Sequence, residues 1–297
     1  MIDRALDRHL KGQQGQAHSI WKAVRYGLFS GGKRIRPILT VAAGEVFGGK
    51  LKDLLPFACA VEMIHAYSLI HDDLPALDDD DLRRGQPSVH KVFGEGMALL
   101  AGDGLLTEAF HLISAPQGTG SISADSTLQL IHELAHAAGI AGLVGGQALD
   151  LQAESQESDL ATVEYIHVRK TGALILASVR IGARIAAAKP AELRRISRYG
   201  EFLGLAFQIA DDILDAEGHT AEGARIESAR KERKKATYPS VVGLAQARER
   251  LAELYQQCLK ELSSFGPAAE PLRAIARASV ARAMHNTANS VSEEMNA

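Results

Sequence analysis

Residues 57–84 read FACAVEMIHAYSLIHDDLPALDDDDLRR, an apolar stretch that runs straight into six aspartates. In its first part Phe57, Ala60, Val61, Ile64, Tyr67 and Ser68 recur at spacings of three and four. That period belongs to one face of a helix and predicts a helix over 57–74. Leu174, Ala177, Ile181 and Ile185 repeat it over 171–188, Ile196, Leu203, Phe207 and Ala210 over 193–215, and Leu251, Leu254, Cys258 and Leu262 over 245–262. Alternating Val/Ile/Thr runs are nearly absent. The chain therefore reads as all-α: about ten helical segments in a single large bundle around a central apolar cavity, with 1–297 as one domain.

Composition narrows the function. The 297 residues are 46% hydrophobic, enough to build a sizeable core. The net charge of −3 makes no electrostatic case for a nucleic-acid partner. The only cysteines, Cys59 and Cys258, are too far apart for a metal-ligand spacing and read as reduced and structural. The N-terminus, MIDRALDRHLKGQQ, lacks the apolar centre of a signal peptide. No apolar run reaches the roughly 18–20 residues of a membrane span, so the expected compartment is cytoplasmic. Polar stretches at 114–125 and 216–236 read as loops.

The aspartates themselves point to a metal and a phosphorylated ligand. In residues 71–84, Asp72, Asp73, Asp78, Asp79, Asp80 and Asp81 crowd together and raise one another's pKa unless a cation relieves them. All-oxygen donors suit Mg²⁺, which fills much of its shell with water and substrate phosphate. Arg83 and Arg84 follow at once, and arginine pairs clamp diphosphates well. Pro75 fixes a bend within the cluster. The competing reading is an acidic solvated loop that caps the next helix.

A second cluster, FQIADDILD at 207–215, places Asp211 and Asp215 one turn apart on a helix whose preceding residues are apolar. Carboxylates on a buried helix face need a partner, and a helix-surface ion pair is the bland alternative. Two such clusters more than a hundred residues apart suggest carboxylates that share one metal-bound diphosphate.

These motifs together resemble the trans-isoprenyl (polyprenyl) diphosphate synthases, most closely the bacterial farnesyl diphosphate synthases. GGKRIRP at 31–37, VEMIHAYSLIHDDLPALDDDDLRRG at 61–85, GGQALDL at 145–151, KTGALI at 170–175, FQIADDILD at 207–215 and KATYP at 235–239 occur in family order. The resemblance implies an all-α prenyltransferase that condenses dimethylallyl or geranyl diphosphate with isopentenyl diphosphate. It assigns Mg²⁺ to Asp72, Asp78 and Asp211, with Asp215 acting through water. It places Arg83, Lys170 and Lys235 on the allylic diphosphate, and Lys33, Arg36, His65 and Arg84 on isopentenyl diphosphate. Thr171, Gln208 and the Lys170 carbonyl would face the developing cation, with Gln147 and Asp150 lining the same cavity. Tyr67 and Ser68, just before the first aspartates, would limit the product to fifteen carbons; Ser68 lies under Asp72, whereas Tyr67 sits about 140° around an ideal helix from it. A homodimer is implied as well.

Two regions depart from the family pattern. The stretch 216–234, usually glycine-rich with its own lysine, reads AEGHTAEGARIESARKERK, and Lys234 stands where a glycine normally precedes the KxTYP lysine. The C-terminus lacks a short basic ending, and its last residues, about 15, read as a disordered tail. A geranylgeranyl diphosphate synthase, a class I terpene cyclase and a non-catalytic subunit of a heteromeric synthase remain as alternatives. The intact DDILD and the set Lys33, Arg36 and His65 weigh against the last two.

Overall fold

A computed structural model describes residues 1–11, 18–115, 122–153, 158–218 and 237–285. Lys235, nearly all of the 216–234 loop and the C-terminal tail lie outside the described residues. The described chain is all-α apart from one two-residue hairpin, in which Leu82–Arg83 pairs antiparallel with Gln86–Pro87. It falls into two compact units: Met1–Ala135 with Ile181–Ala188, and His136–Arg180 with Lys189–Ala297.

The first unit contains α1 (Ile2–Lys11), α2 (His18–Leu28), α3 (Ile35–Val46), α4 (Leu51–Asp72), α5 (Val89–Phe93), α6 (Glu95–Ser114) and most of α7 (Ala124–Ala138). The helix predicted at 57–74 is α4, six residues longer at its start. It is buried almost all round, from Leu54 and Phe57 to Ile70, and packs against α3 and α6. A helix apolar on every side belongs in a core. By length and composition α4 is also long and apolar enough to cross a membrane, which corrects the expectation that no such run exists; most of it is buried in this unit. Each fully buried Leu or Phe side chain contributes about 1.5–3 kcal/mol, so α4 anchors the aspartates at its C-terminal end. His71 Nε2–H donates to the Leu99 carbonyl at 2.9 Å, tying that end to α6.

The second unit contains α8 (Leu143–Ala153), α9 (Leu160–Ile166), a π-helical stretch (His167–Gly172), the first part of α10 (Ala173–Ile185), α11 (Pro190–Ala216), α12 (Tyr238–Val242), α13 (Leu244–Glu261), a 3-10 segment (Ser263–Ala269) and α14 (Glu270–His285). The expected helix at 171–188 therefore begins in π geometry and ends three residues early. The expected 193–215 and 245–262 match α11 and α13 closely. Helix starts follow local chemistry. Asp159 accepts from Thr162 N at 2.9 Å to cap α9. Pro190 occupies the first turn of α11, where its missing N–H costs nothing. In the KATYP motif Thr237 accepts from Ser240 N while Ser240 Oγ receives Thr237 N, a capping box that starts α12. Tyr199, fully buried on α11, donates its hydroxyl to the Leu272 carbonyl at 2.8 Å.

Candidate active site

The first aspartate motif is a loop that closes on itself. Beyond α4, Leu74 N donates to His71 O, Leu77 N to Leu74 O, and Asp78 N to Asp72 O at 2.7 Å. The last bond brings the first and last aspartates of DDxxxxD together, although four residues separate Asp73 from Asp78. Asp72 and Asp78 are half-buried. Asp73 is different: it is 2% exposed and accepts from Arg83 Nε at 2.8 Å and from Arg83 NH2. Burial pushes its carboxyl up to about 6, and Arg83 pulls against that shift. Arg83 NH2 also reaches Asp80 Oδ2 at 3.1 Å. The arginine assigned from sequence to a diphosphate thus has two carboxylate partners that the sequence reading had not given it. Arg84 donates to the Gly31 carbonyl, which joins the aspartate loop to the Gly-Gly of GGKRIRP.

Within GGKRIRP the three cations divide their work. Lys33 is exposed. Arg34 is an anchor: its NH1 meets the buried Glu62 Oε1 at 2.5 Å and its NH2 the Leu28 carbonyl at 2.7 Å. Arg36 NH1 donates to His65 Nε2 at 3.2 Å. A guanidinium cannot accept, so Nε2 holds a lone pair and the neutral ring offers only Nδ1–H as a donor. Burial, reinforced by the charges of Arg36, Arg84, Arg34 and Arg83, holds the His65 pKa well below its ordinary value, in agreement with that tautomer. His65 and Asp72, seven residues apart, share a face of α4, as the spacing predicts.

Near them, Tyr67 is buried with its ring edge-on to His71, centroids 5.8 Å apart. Burial, with the charge of Asp72, raises its phenol to about 12. Ser68 turns its hydroxyl to the His65 carbonyl at 2.9 Å. Among the described residues, Asp79, Asp81 and the buried His90 form a group of possible metal ligands whose ligand atoms lie within 4.8 Å of one another; the sequence reading had the two aspartates in its cluster but did not single out His90.

In the second unit the site is built on the π-helical stretch. Lys170 Nζ donates to Asp150 Oδ2 at 2.6 Å. Thr171 Oγ1 donates to Gln208 Oε1 at 2.8 Å, and Gln208 Nε2 donates to Asp212 Oδ1 at 3.1 Å. Tyr238 N donates to Asp212 Oδ2 at 2.8 Å, and His167 Nε2 stands 3.2 Å from the same oxygen. Gln147 Oε1 is buried, with no hydrogen-bond partner among the described residues. Two glycines permit this packing. A Cβ on Gly146 would come within 2.2 Å of the Lys170 backbone nitrogen, and one on Gly204 within 2.8 Å of the Gly172 Cα. The GGQ motif therefore lets α8 press against the backbone that carries Lys170 and Thr171.

The expected buried face of the second aspartate motif is corrected in detail. Asp215 is exposed and Asp211 half-buried, whereas Asp212 is the buried carboxylate. Asp212 sits 100° around the helix from Asp211 and faces the π stretch and the start of α12. Within the 207–215 segment only Gln208, one turn before it, distinguishes it from its neighbour; its other partners come from positions 167 and 238. Cys59 and Cys258 are free and buried, and burial pushes both thiols up to about 12. Inert structural thiols are the expected result.

A family model described as polyprenyl synthetase matches residues 18–268. Farnesyl diphosphate synthase of Geobacillus stearothermophilus is 48% identical over 251 residues, 84% of this chain and 84% of its own length. Geranylgeranyl diphosphate synthase of Cyanophora paradoxa is 44% identical over 264 residues, 89% of this chain and 87% of its own. Among solved structures, an FPP/GFPP synthase from Zymomonas mobilis aligns with a TM-score of 0.84 at 39% identity, covering 94% of this chain and 96% of that one.

Proposed function

This chain belongs to the polyprenyl synthetase family, and from that premise we propose that it transfers the prenyl group of dimethylallyl or geranyl diphosphate to isopentenyl diphosphate, with farnesyl diphosphate as its main product. The observation that carries the reading is the closed DDxxxxD loop. It sets Asp72 and Asp78 side by side at the end of a rigid apolar helix, two turns beyond a neutral His65 held by Arg36.

The donor set suits a hard cation: the accessible aspartates offer oxygen ligands of the kind Mg²⁺ takes. We assign Mg²⁺ to Asp72, Asp78 and Asp211, with Asp215 in an outer position that fits its exposure. Bound there, Mg²⁺ would neutralise charge that builds on the leaving diphosphate. The chain's own residues bind and orient. Lys170, Arg83 and Lys235 hold the allylic diphosphate; Lys33, Arg36, Arg84 and the Nδ1–H of His65 hold isopentenyl diphosphate. Thr171, Gln208 and the Lys170 carbonyl turn oxygen toward the allylic carbon as it becomes positive. The double bond of isopentenyl diphosphate attacks that carbon, and a proton then leaves to the released diphosphate. The cation requires a dry apolar surrounding, with Gln147 and Asp150 at its polar edge. One domain comprising both units and a cytoplasmic setting, both read from the sequence itself, and a homodimer, carried over from the resemblance, complete the reading.

A geranylgeranyl product is the second reading, favoured by the 44% identity to a relative of that name. Tyr67, buried beside the first motif, supports the shorter product. Incubating the purified protein with Mg²⁺, dimethylallyl diphosphate and labelled isopentenyl diphosphate tests both. A labelled fifteen-carbon diphosphate is expected. A twenty-carbon product moves the chain to the second reading. A cyclic hydrocarbon made from a prenyl diphosphate, or no labelled product, overturns the proposal in favour of a cyclase or a non-catalytic subunit.

A further inference from the structure

Asp212 is 5% exposed and bonds Gln208, a residue that the proposed reaction uses, yet none of the roles above belongs to it. Its carboxylate can only accept hydrogen bonds. Asp212 Oδ1 therefore compels Gln208 to present its NH2 group, at 3.1 Å, and to turn its carbonyl oxygen the other way. That carbonyl accepts the Thr171 hydroxyl at 2.8 Å. Thr171 has one proton, and this bond consumes it, so lone pairs remain on the hydroxyl for whatever else it faces. The direction of the whole relay is set at its buried end. The other oxygen, Oδ2, is held by Tyr238 N at 2.8 Å and lies 3.2 Å from His167 Nε2. Asp212 thereby ties α11 both to the π-helical stretch that carries Lys170 and Thr171 and to the first residue of α12.

We propose that Asp212 is a positioning residue: it fixes the direction of the Thr171–Gln208 hydrogen bond, so that oxygen lone pairs and not hydrogens meet the positive charge of the prenyl group, and it anchors the start of α12 through the Tyr238 amide. The inference rests on the prenyl-transfer reading. It separates the two halves of the Asp211-Asp212 pair, one for the metal and one for the polarity of a hydroxyl.

Asp212→Asn keeps the shape and removes the charge. Its oxygen stays with Tyr238 N, so its new NH2 group faces Gln208, whose amide flips and donates to Thr171. The hydroxyl is then an acceptor with its hydrogen released toward the reacting carbon. Turnover should fall about a hundredfold, the scale of losing one preorganised group. The KM values for both diphosphates and the Mg²⁺ dependence should not change. Adding Gln208→Glu restores an acceptor-only group between the introduced amide and Thr171, so the double variant should recover at least about tenfold over Asp212→Asn. A double variant no faster than the single overturns the proposal, as does an Asp212→Asn enzyme whose main defect is a raised Mg²⁺ requirement.

Amide hydrogen exchange at Tyr238 supplies a readout free of activity. Protection should persist in Asp212→Asn and be lost in Asp212→Ala. Unchanged exchange in Asp212→Ala overturns the anchoring half at any level of activity. A wild-type chain that forms no prenyl product overturns the reaction reading and with it the polarity half, while the exchange result still judges the anchor.

Discussion

Asp72-Asp73 at the end of α4 and Asp211-Asp212 in α11 are the same dipeptide put to use in two ways. In each, one aspartate is half-buried and its neighbour almost fully buried. Asp73 is neutralised by a full positive charge, Arg83, in a pair shared with Asp80. Asp212 accepts from Gln208 and Tyr238 N, with His167 Nε2 3.2 Å from its carboxylate. The first solution stiffens a loop, because Arg83 lies ten residues further along the chain, in the strand Leu82–Arg83 that follows it. The second ties distant segments together and gives a direction to the hydrogen bonds that end at Thr171. A doubled aspartate in this fold therefore contains an accessible ligand candidate and a buried anchor, and the chemistry of the anchor differs between the motifs. GGKRIRP follows the same plan, with Arg34 paired to the buried Glu62 between the exposed Lys33 and the half-buried Arg36.

The largest expected effect falls on the accessible members. Asp72→Ala or Asp211→Ala should lower turnover by at least about a hundredfold, with a native circular dichroism spectrum. Normal turnover in either would break the division between ligand and anchor. Arg83→Ala should cost both binding and stability: it removes one holder of the allylic diphosphate, raising the KM for that substrate, and it leaves Asp73 buried without its partner, for which a loss on the order of 3 kcal/mol is expected in urea unfolding. Gly146→Ala should destabilise by about 1–3 kcal/mol, because the new methyl group meets the Lys170 backbone. Gly96→Ala, with open space around its Cβ position on α6, should be neutral or stabilising by less than about 1 kcal/mol. Asp215→Ala tests the outer position. From an exposed outer position it should weaken the Mg²⁺ dependence of turnover by roughly tenfold and leave the saturated rate nearly unchanged.

Much of this was legible in the sequence. A period of three and four located α4, α11 and α13, and aspartates stood out against apolar helices. The π-helical stretch was not legible, because six residues are too few to separate its period from that of an α-helix. Which aspartate of each pair would be buried was equally hidden. Adjacent helix positions differ by 100°, and the deciding partners are not marked by spacing: Arg83 is one of two adjacent arginines, and His167 and Tyr238 come from other segments. The tautomer of His65 became readable only when Arg36 was found on its Nε2. Lys235 lies outside the described residues, so its role stays a proposal.

The central claim is that both aspartate motifs act on a single diphosphate in a single chemical step. A double-mutant cycle on Asp72→Asn and Asp211→Asn, read as single-turnover rates at saturating Mg²⁺, tests it most directly. Groups that act as a unit lose their contribution together, so the double variant should be about as slow as the slower single variant. Losses that simply multiply would show two independent sites and contradict the account.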